Sequence, residues 1–415
     1  MVLNYIWIAF FVVGFIVAII KLLLGDAEIF STLTTKMFDS TKTGFEIALG
    51  LTALMSFWLG IMKIAERSGL IITFSRLLSP FFSMLFPSVP KEHSAYGNMM
   101  MNFSANMLGL DNAATPLGLK AMKDLQELNQ QKDTASNAMI MFLVLNTAGI
   151  TLIPTSVMAI RQTMALEQGL VGFNAADIFL PTLIGTFISF LSGMIAVALY
   201  QKINLFKLPF LFFVGGFIAL ITITYMWLKQ YPAEEMSKKI ALIGSIIIFS
   251  IIVLIILSGA IRKINVYEAF IDGAKDGFST AVQIIPYLIA ILVAISVFNA
   301  AGCLTFITDG IGFVVRSIGL DDRFVPVLPV GLMKTLSGSG ARAFMVDVMT
   351  TYGVDSFQGK LASIIQGSTE TTFYVLAVYF GSVGIKNTRY AVACGLFADI
   401  VGLVGAIIVG YLFFA

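Results

Sequence analysis

The residues most able to do chemistry form one short run, Gln366-Gly367-Ser368-Thr369-Glu370-Thr371-Thr372, set between the apolar stretches 361 to 365 and 373 to 380. A carboxylate in the middle of an apolar helix, with nothing basic within a turn, has few uses. It can carry a proton, bind a cation, or accept hydrogen bonds from the hydroxyls or amines of a solute. Its bland alternative is a structural partnership with Arg342 or with buried hydroxyls. A second group, Asn146-Thr147-Ala148-Gly149 with Thr151 and Pro154, supplies neutral donors and acceptors in an uncharged helix. These can read a polar solute without burying a charge, or simply bond neighbouring helices. Pro154 removes one backbone donor and predicts a kink. A third group is Leu336-Ser337-Gly338-Ser339-Gly340-Ala341-Arg342, whose glycines let the chain turn before an apolar helix expected to start near Ala341. A helix N-terminus there would present free N–H groups to an electron-rich ligand. Its counterpart, Leu108 to Pro116, carries Asp111 and Asn112 as candidate caps and Thr115 in the first turn.

The predicted solute-contacting set is therefore Asn112, Thr115, Asn146, Thr147, Thr151, Ser337, Ser339, Gln366, Ser368, Thr369 and Glu370. Glu370 and Asp111 are the candidates for coupling to protons or sodium. The lone histidine, His93, lies in the polar stretch Lys91-Glu92-His93-Ser94 and reads as interfacial. Cys303 and Cys394 have no metal-ligand spacing and read as small buried hydrophobes. No nucleophile elbow, HExxH, P-loop or dinucleotide fingerprint frames any of these residues, so the expectation is no enzyme, no cofactor and no metal.

Such residues need a scaffold, and composition says which. Hydrophobic residues make up 58% of the 415 and charged residues only 12%, about half the usual charged share; mean hydropathy is +0.92. No water-soluble surface can be built from that. The net charge of +2 argues against nucleic acid, and the lipid bilayer is the expected partner. Apolar runs predict membrane helices near 1–23, 45–65, 135–160, 177–200, 208–228, 240–261, 277–299, 361–383 and 391–414, each long enough for a hydrocarbon core of about 30 Å. The apolar start lacks a basic region and a cleavage site and reads as a retained first helix. Stretches 69–120 and 302–350 are cut by Gly, Pro, Ser and Asn into pieces too short to span, the pattern of a re-entrant hairpin.

An internal repeat organises these elements. Gly44-Phe45 and Gly69 recur as Gly277-Phe278 and Gly302; Leu119 to Met122 falls opposite Val346 to Met349, Asn146-Thr147 opposite Gln366-Gly367, and Asp177-Ile178 opposite Asp399-Ile400. Each copy reads as helix, helix, hairpin, helix, helix, in units 1–200 and 237–415, joined by a linking helix within 201–236. A unit with an even number of crossings returns to its starting side, so one extra helix inserts the second copy upside down. Basic residues set the orientation. Loops carrying Lys63, Arg67, Arg76, Lys120, Lys123, Lys132, Lys202, Lys207, Arg262, Lys263, Lys275, Lys386 and Arg389 outweigh those carrying Lys21, Lys36, Lys42, Arg161, Lys229, Lys238 and Lys239. This predicts a cytoplasmic N-terminus in a plasma (inner) membrane.

The run Asn106-Met-Leu-Gly-Leu-Asp-Asn-Ala-Ala-Thr-Pro-Leu-Gly-Leu-Lys-Ala-Met122, followed by Asn146 to Thr155, resembles spore maturation protein A. Leu336 to Arg342 and Gln366 to Gly381, with Gly384-Ile385 and Thr388-Arg389, resemble spore maturation protein B. Each half is similar to the nucleoside-recognition or gate module, which also appears in concentrative nucleoside transporters and ferrous-iron permeases. The resemblance implies paired re-entrant hairpins and an elevator-like motion. It also implies that Glu370 stands where nucleoside carriers hold ribose hydroxyls. The first hairpin here lacks a counterpart of their glutamine-threonine-glutamate run, and the gate cysteines of the iron permease are absent.

The expected architecture is thus an all-α polytopic membrane protein of two inverted repeats. The expected function is transport of a small polar solute, with an anionic group admitted, by alternating access. The rival reading is an integral-membrane scaffold acting in spore or envelope maturation that moves nothing. Either leaves room for a homo-oligomer.

Overall fold

The computed structural model describes residues 2–107 and 111–414. Apart from one isolated bridge between Thr134 and Asn387, the described backbone is helix and connection, as a solvent without hydrogen-bonding capacity demands. The first unit holds α1 (Val2–Leu23), α2 (Ile29–Arg67), α3 (Leu70–Leu85), α4 (Ser94–Met107), α5 (Asp111–Glu127), α6 (Asn137–Thr147), α7 (Thr155–Glu167) and α8 (Phe179–Gln201), the last entered through a 3-10 turn, Ala175–Ile178. Helix α9 (Leu208–Leu228) follows alone. The second unit repeats the order with α10 (Ala233–Ile261), α11 (Val266–Ala300), α12 (Cys303–Ser317), α13 (Leu328–Leu336), α14 (Gly338–Tyr352), α15 (Phe357–Ser368), α16 (Thr372–Ser382) and α17 (Ala391–Phe414).

The glycine landmarks mark the same corner twice. Gly69 and Gly302 adopt φ of 70° and 85°, a left-handed conformation that only glycine enters without a steric penalty. There the chain bends by 71° between α2 and α3, and by 67° between α11 and α12. Stretches 69–120 and 302–350 thus each resolve into an amphipathic helix lying off the long helix (α3, α12) and a separate helix-turn-helix hairpin (α4 with α5, α13 with α14).

Equivalent helices run antiparallel. Ser296 Oγ on α11 donates to the Lys36 carbonyl on α2 at 3.1 Å, Gly44 meets Ile289, Gly277 meets Ser56, and Gly273 meets Gly60. Numbers rise on α2 as they fall on α11. On α8 and α17, likewise, Ser189 donates to the Ala398 carbonyl at 3.2 Å, while Gly193 meets Ala398 and Gly402 meets Ser189. The two units are therefore inverted copies about an axis through both pairs. Each unit also lends its first helix to the other: Trp7 on α1 donates to the Ala290 carbonyl on α11 at 2.9 Å, and Ser258 on α10 donates to Ser68, just past α2, at 2.9 Å.

By length and composition Ala175–Gln201, α9, Lys238–Ile261 and α17 can each cross a bilayer, as can the two bent pairs. Two expected spans are corrected. Segments 135–160 and 361–383 are not continuous helices: α6 stops at Thr147 and α7 starts at Thr155, and α15 stops at Ser368 and α16 starts at Thr372. Pro154 cannot continue a ladder, and the Thr369–Thr371 backbone is extended at its first residue (φ −139°, ψ 167°). The second hairpin's outgoing helix also starts earlier than expected, at Gly338 rather than near Ala341.

The α2–α11 contact leaves no room at Gly273, where an added Cβ would collide with the Leu59 carbonyl and Lys63. Gly273→Val should lower stability by about 1–3 kcal/mol, seen as a reduced melting temperature in detergent. Gly215→Leu on α9, where an added Cβ meets nothing within 4 Å, should leave it unchanged or slightly raised.

Candidate functional site

The two broken helices cross, and each break is held by atoms from outside it. The Glu370 N–H donates to the Thr147 carbonyl at 2.8 Å, and the Leu152 N–H donates to the Met107 carbonyl, at the end of α4, at 2.8 Å. Helix α6, which the first bond ties to the second break, is itself buried along nearly its whole length. The second hairpin touches the same place, since a Cβ on Gly338 would lie 2.9 Å from Thr371 Oγ1. At that hairpin's turn Ser337 Oγ accepts from the Gly340 N–H at 3.1 Å and lies 3.2 Å from Ser339 Oγ. The end of α15 leans on α8 and on the first break, Gly367 meeting Thr182 and Pro154. Carbonyl ends of α6 and α15 and N–H ends of α7, α14 and α16 therefore gather where the breaks cross. Half-helix ends of this kind present partial charges to an ion or polar solute.

The predicted residues fall as follows. Asn146, Thr147, Ser337, Gln366, Ser368 and Thr369 are buried, and Thr115, Thr151, Ser339 and Glu370 are half-buried. Asp111 and Asn112 open α5, their side chains lying outside the described residues. Several side chains are already engaged. Asn146 Oδ1 accepts from Asn106 Nδ2 at 2.7 Å and from the Tyr379 hydroxyl at 3.4 Å, and its Nδ2 donates to the Phe142 carbonyl at 2.8 Å. Thr147 bonds back to the Val144 carbonyl at 3.0 Å, and Ser368 to Ile364. Gln366 Oε1, by contrast, is buried without a partner among the described residues, and the Glu370 carboxylate makes no hydrogen bond or ion pair among them. The alternative partner, Arg342, does not meet Glu370; its Nε is buried and unbonded.

Sequence reasoning missed a network between the repeats. Asn102 Nδ2 donates to the Ala114 carbonyl at 2.7 Å and to the Tyr379 hydroxyl at 3.3 Å, which passes the chain on to Asn146. Hairpin one is thereby tied to α6 and to α16 of the other repeat. The signal was present: Asn98, Asn102 and Asn106 recur every fourth residue on α4, one helix face.

Arg161 is a second correction. Counted as a loop cation, it is fully buried. Its guanidinium grips both Asp177 oxygens at 2.9 and 3.0 Å and donates to the Val354 carbonyl and Ser363 Oγ, each at 3.1 Å. Lys360 adds contacts to Asp355 at 2.8 Å and to Asp177 at 3.8 Å. The clamp joins α7 and the entry to α8 with α15. Its counterpart is different: Asp399 stands where Asp177 does in the repeat, but the seventh residue of α16 is Val378 where α7 has Arg161.

Beside the hairpins, polar cavities of about 340 and 310 Å³ share Asn299, Asp347 and Thr351 and lie where α14 faces α11. The first extends to Asp309 and Arg323, the second to Lys36 and Asp39. Both cysteines are buried and unpaired, and no cluster of three His, Cys, Asp or Glu side chains suited to a metal occurs among the described residues.

The comparison with known proteins falls on the same two units. The model of the Gate family, described as nucleoside recognition, matches residues 48–164 and 281–386, one stretch from each unit and together more than half of the chain. The chain belongs to the Gate family. Spore maturation protein A of Bacillus subtilis (strain 168) is 41% identical to this Gate chain over 192 residues, 46% of the chain and 92% of the relative. Spore maturation protein B of the same organism is 46% identical over 160 residues, 39% of the chain and 88% of the relative. This Gate protein is similar to both.

Removing one side of a buried ion pair leaves the other uncompensated. Arg161→Met should destabilise this Gate protein by about 3–5 kcal/mol, and the double variant Arg161→Met/Asp177→Leu should recover most of that loss, measured by thermal unfolding in detergent.

Proposed function

We propose that this chain is a transporter of a small polar solute working by alternating access, with the solute held where the breaks and hairpin turns meet. One observation carries the reading: the packing of the hairpins on the long helices breaks the two-fold symmetry. Helix α7 packs on α2 and α14 packs on α11, besides touching each other, whereas their repeat counterparts, α16 and α5, meet each other more than they meet the long helices. The matching contacts of α16 on α11 and of α5 on α2 are not formed to that extent among the described residues. An inverted repeat caught with unlike halves has a second arrangement in which the halves exchange roles, and that exchange moves a central site from one face to the other. Polar cavities lie along α14, beside the apolar contacts that it makes with α11.

In this reading Glu370 is the solute's or the coupling cation's carboxylate, joined by Gln366, Ser337, Ser339 and Thr151, with Asp111, Asn112 and Thr115 at the first hairpin's turn. The buried Asn146, Thr147, Ser368 and Thr369, the first three already bonded, shape the wall. No covalent chemistry on the solute is involved, and no cofactor beyond a proton or sodium ion. The chain sits in the plasma membrane with its N-terminus cytoplasmic. The family description makes nucleosides the first class to test, followed by amino acids and dicarboxylates.

Reconstituted liposomes, screened across those classes with and without proton and sodium gradients, should accumulate one class. Glu370→Gln should weaken uptake of that solute by about tenfold to a hundredfold, the loss expected when a charged hydrogen-bonding group is removed. Disulfide formation between Asn299→Cys and Thr351→Cys, across the cavities that flank α14, should stop uptake, and reduction should restore it. A screen in which no class moves above protein-free vesicles would overturn transport and favour the scaffold suggested by the relatives' spore maturation names.

A further inference from the structure

The fold buries one carboxylate in an apolar helix without the arginine that holds its repeat counterpart. Asp399 lies within α17, a helix long and apolar enough to cross a membrane, and is 5% exposed. Both of its carboxylate oxygens are buried without a hydrogen-bond partner among the described residues. The face it occupies is defined by its neighbours. Gly395, one turn before, meets Thr372 and Thr147, and Gly402, one turn after, meets Thr369 and Ser189. Two glycines thus bring the second break against α17, and Asp399 sits between them, facing the break. Thr372, the first residue of the half-helix α16, carries a buried hydroxyl that also lacks a partner and is the polar neighbour of Asp399.

The charged groups around it are few. Lys334, buried on α13 of the second hairpin, acts on Asp399 through its charge. Glu370 lies in the break between α15 and α16. Lys360 on α15 and Asp177 at the start of α8 are committed to the Arg161 clamp. Helix α6 carries no charge, and the basic residues of α10, Lys238 and Lys239, stand near its N-terminal end. Two influences therefore oppose each other at Asp399. One is burial in an apolar helix with the Thr372 hydroxyl beside it, the other the charge of the Lys334 ammonium and the N-terminal end of α16. Asp177, the repeat counterpart, has a guanidinium and stays a fixed ion pair; Asp399 has none, and so is free to change state.

We propose that Asp399 is a proton-exchange site, its carboxylate taking up one proton to become a neutral carboxylic acid and releasing it as the second hairpin and its Lys334 move relative to α17. This deepens the transport reading and rests on it for the direction of coupling, though the titration itself does not. The proton comes from water on one side and returns to water on the other, with no other reactant. Glu370 is then freed to contact the solute.

The test uses the full chain in lipid nanodiscs and infrared difference spectra recorded while pH is stepped. Once the bands common to both, from the chain's other Asp and Glu side chains, are subtracted, the wild type should show a carboxylic-acid carbonyl band growing as pH falls that Asp399→Asn lacks and that Asp399→Glu shows at a moved midpoint. The midpoint should be the same in sodium chloride and in choline chloride. In liposomes, the ratio of uptake with and without a pH gradient should fall to about one in Asp399→Asn. Identical spectra for wild type and Asp399→Asn would overturn the assignment, and a midpoint displaced by sodium would show that the ligand is sodium instead. Should the uptake screen find no solute, the infrared titration still decides the fate of Asp399 independently of the transport reading.

Discussion

A helix interrupted inside a membrane exposes backbone groups that hydrocarbon cannot solvate, each at a cost of several kcal/mol. This chain interrupts two, and the rest of its structure follows from how they are satisfied. The Glu370 N–H finds the Thr147 carbonyl and the Leu152 N–H finds the end of α4. One break is thus bonded from the other repeat and one from its own hairpin, so the second unit does not close its backbone ladder alone. The repeats interleave for that reason, and the small residues along α17 and α15 are what let backbone approach backbone there.

Around this crossing stands a stiffer frame. The antiparallel α2–α11 and α8–α17 pairs are drawn together by glycines that a single methyl group would push apart, and each unit's first helix is packed on the other unit. The Arg161 clamp adds a fixed polar joint on one side of the core, while the equivalent position on the other side holds an aspartate with no arginine. The same architecture therefore carries one locked and one unlocked carboxylate, and the asymmetry of the hairpins on the frame lies in the same molecule.

Much of this was legible in the sequence, and for physical reasons. Helices 208–228, 240–261 and 391–414 announce themselves because spanning a bilayer needs only length and apolarity. The repeat shows through Gly69 and Gly302 because a left-handed corner demands glycine wherever it recurs. The first break showed only as the kink expected at Pro154, and the second did not show, because hydropathy counts side chains while the Glu370 N–H is met by a carbonyl some 220 residues away. Arg161 reads as a loop cation until its partners, Asp177 and Ser363, are folded around it. Asp399 reads as a repeat landmark until its missing partners can be seen. The Asn98, Asn102 and Asn106 stripe was visible in the spacing, and its acceptors, Asp124, Tyr379 and Asn146, had to come from the fold.

Helix α9 has no repeat counterpart, packs little of its surface against the rest of the protein, and joins two units whose relatives each match less than half of the chain. Its effect is on association. Two units tethered by one helix and short loops meet at an effective concentration of millimolar order, whatever the number of copies in the membrane. Pairing of the halves becomes a folding step rather than an encounter, so its yield is independent of dilution, and a one-to-one ratio is guaranteed by translation itself.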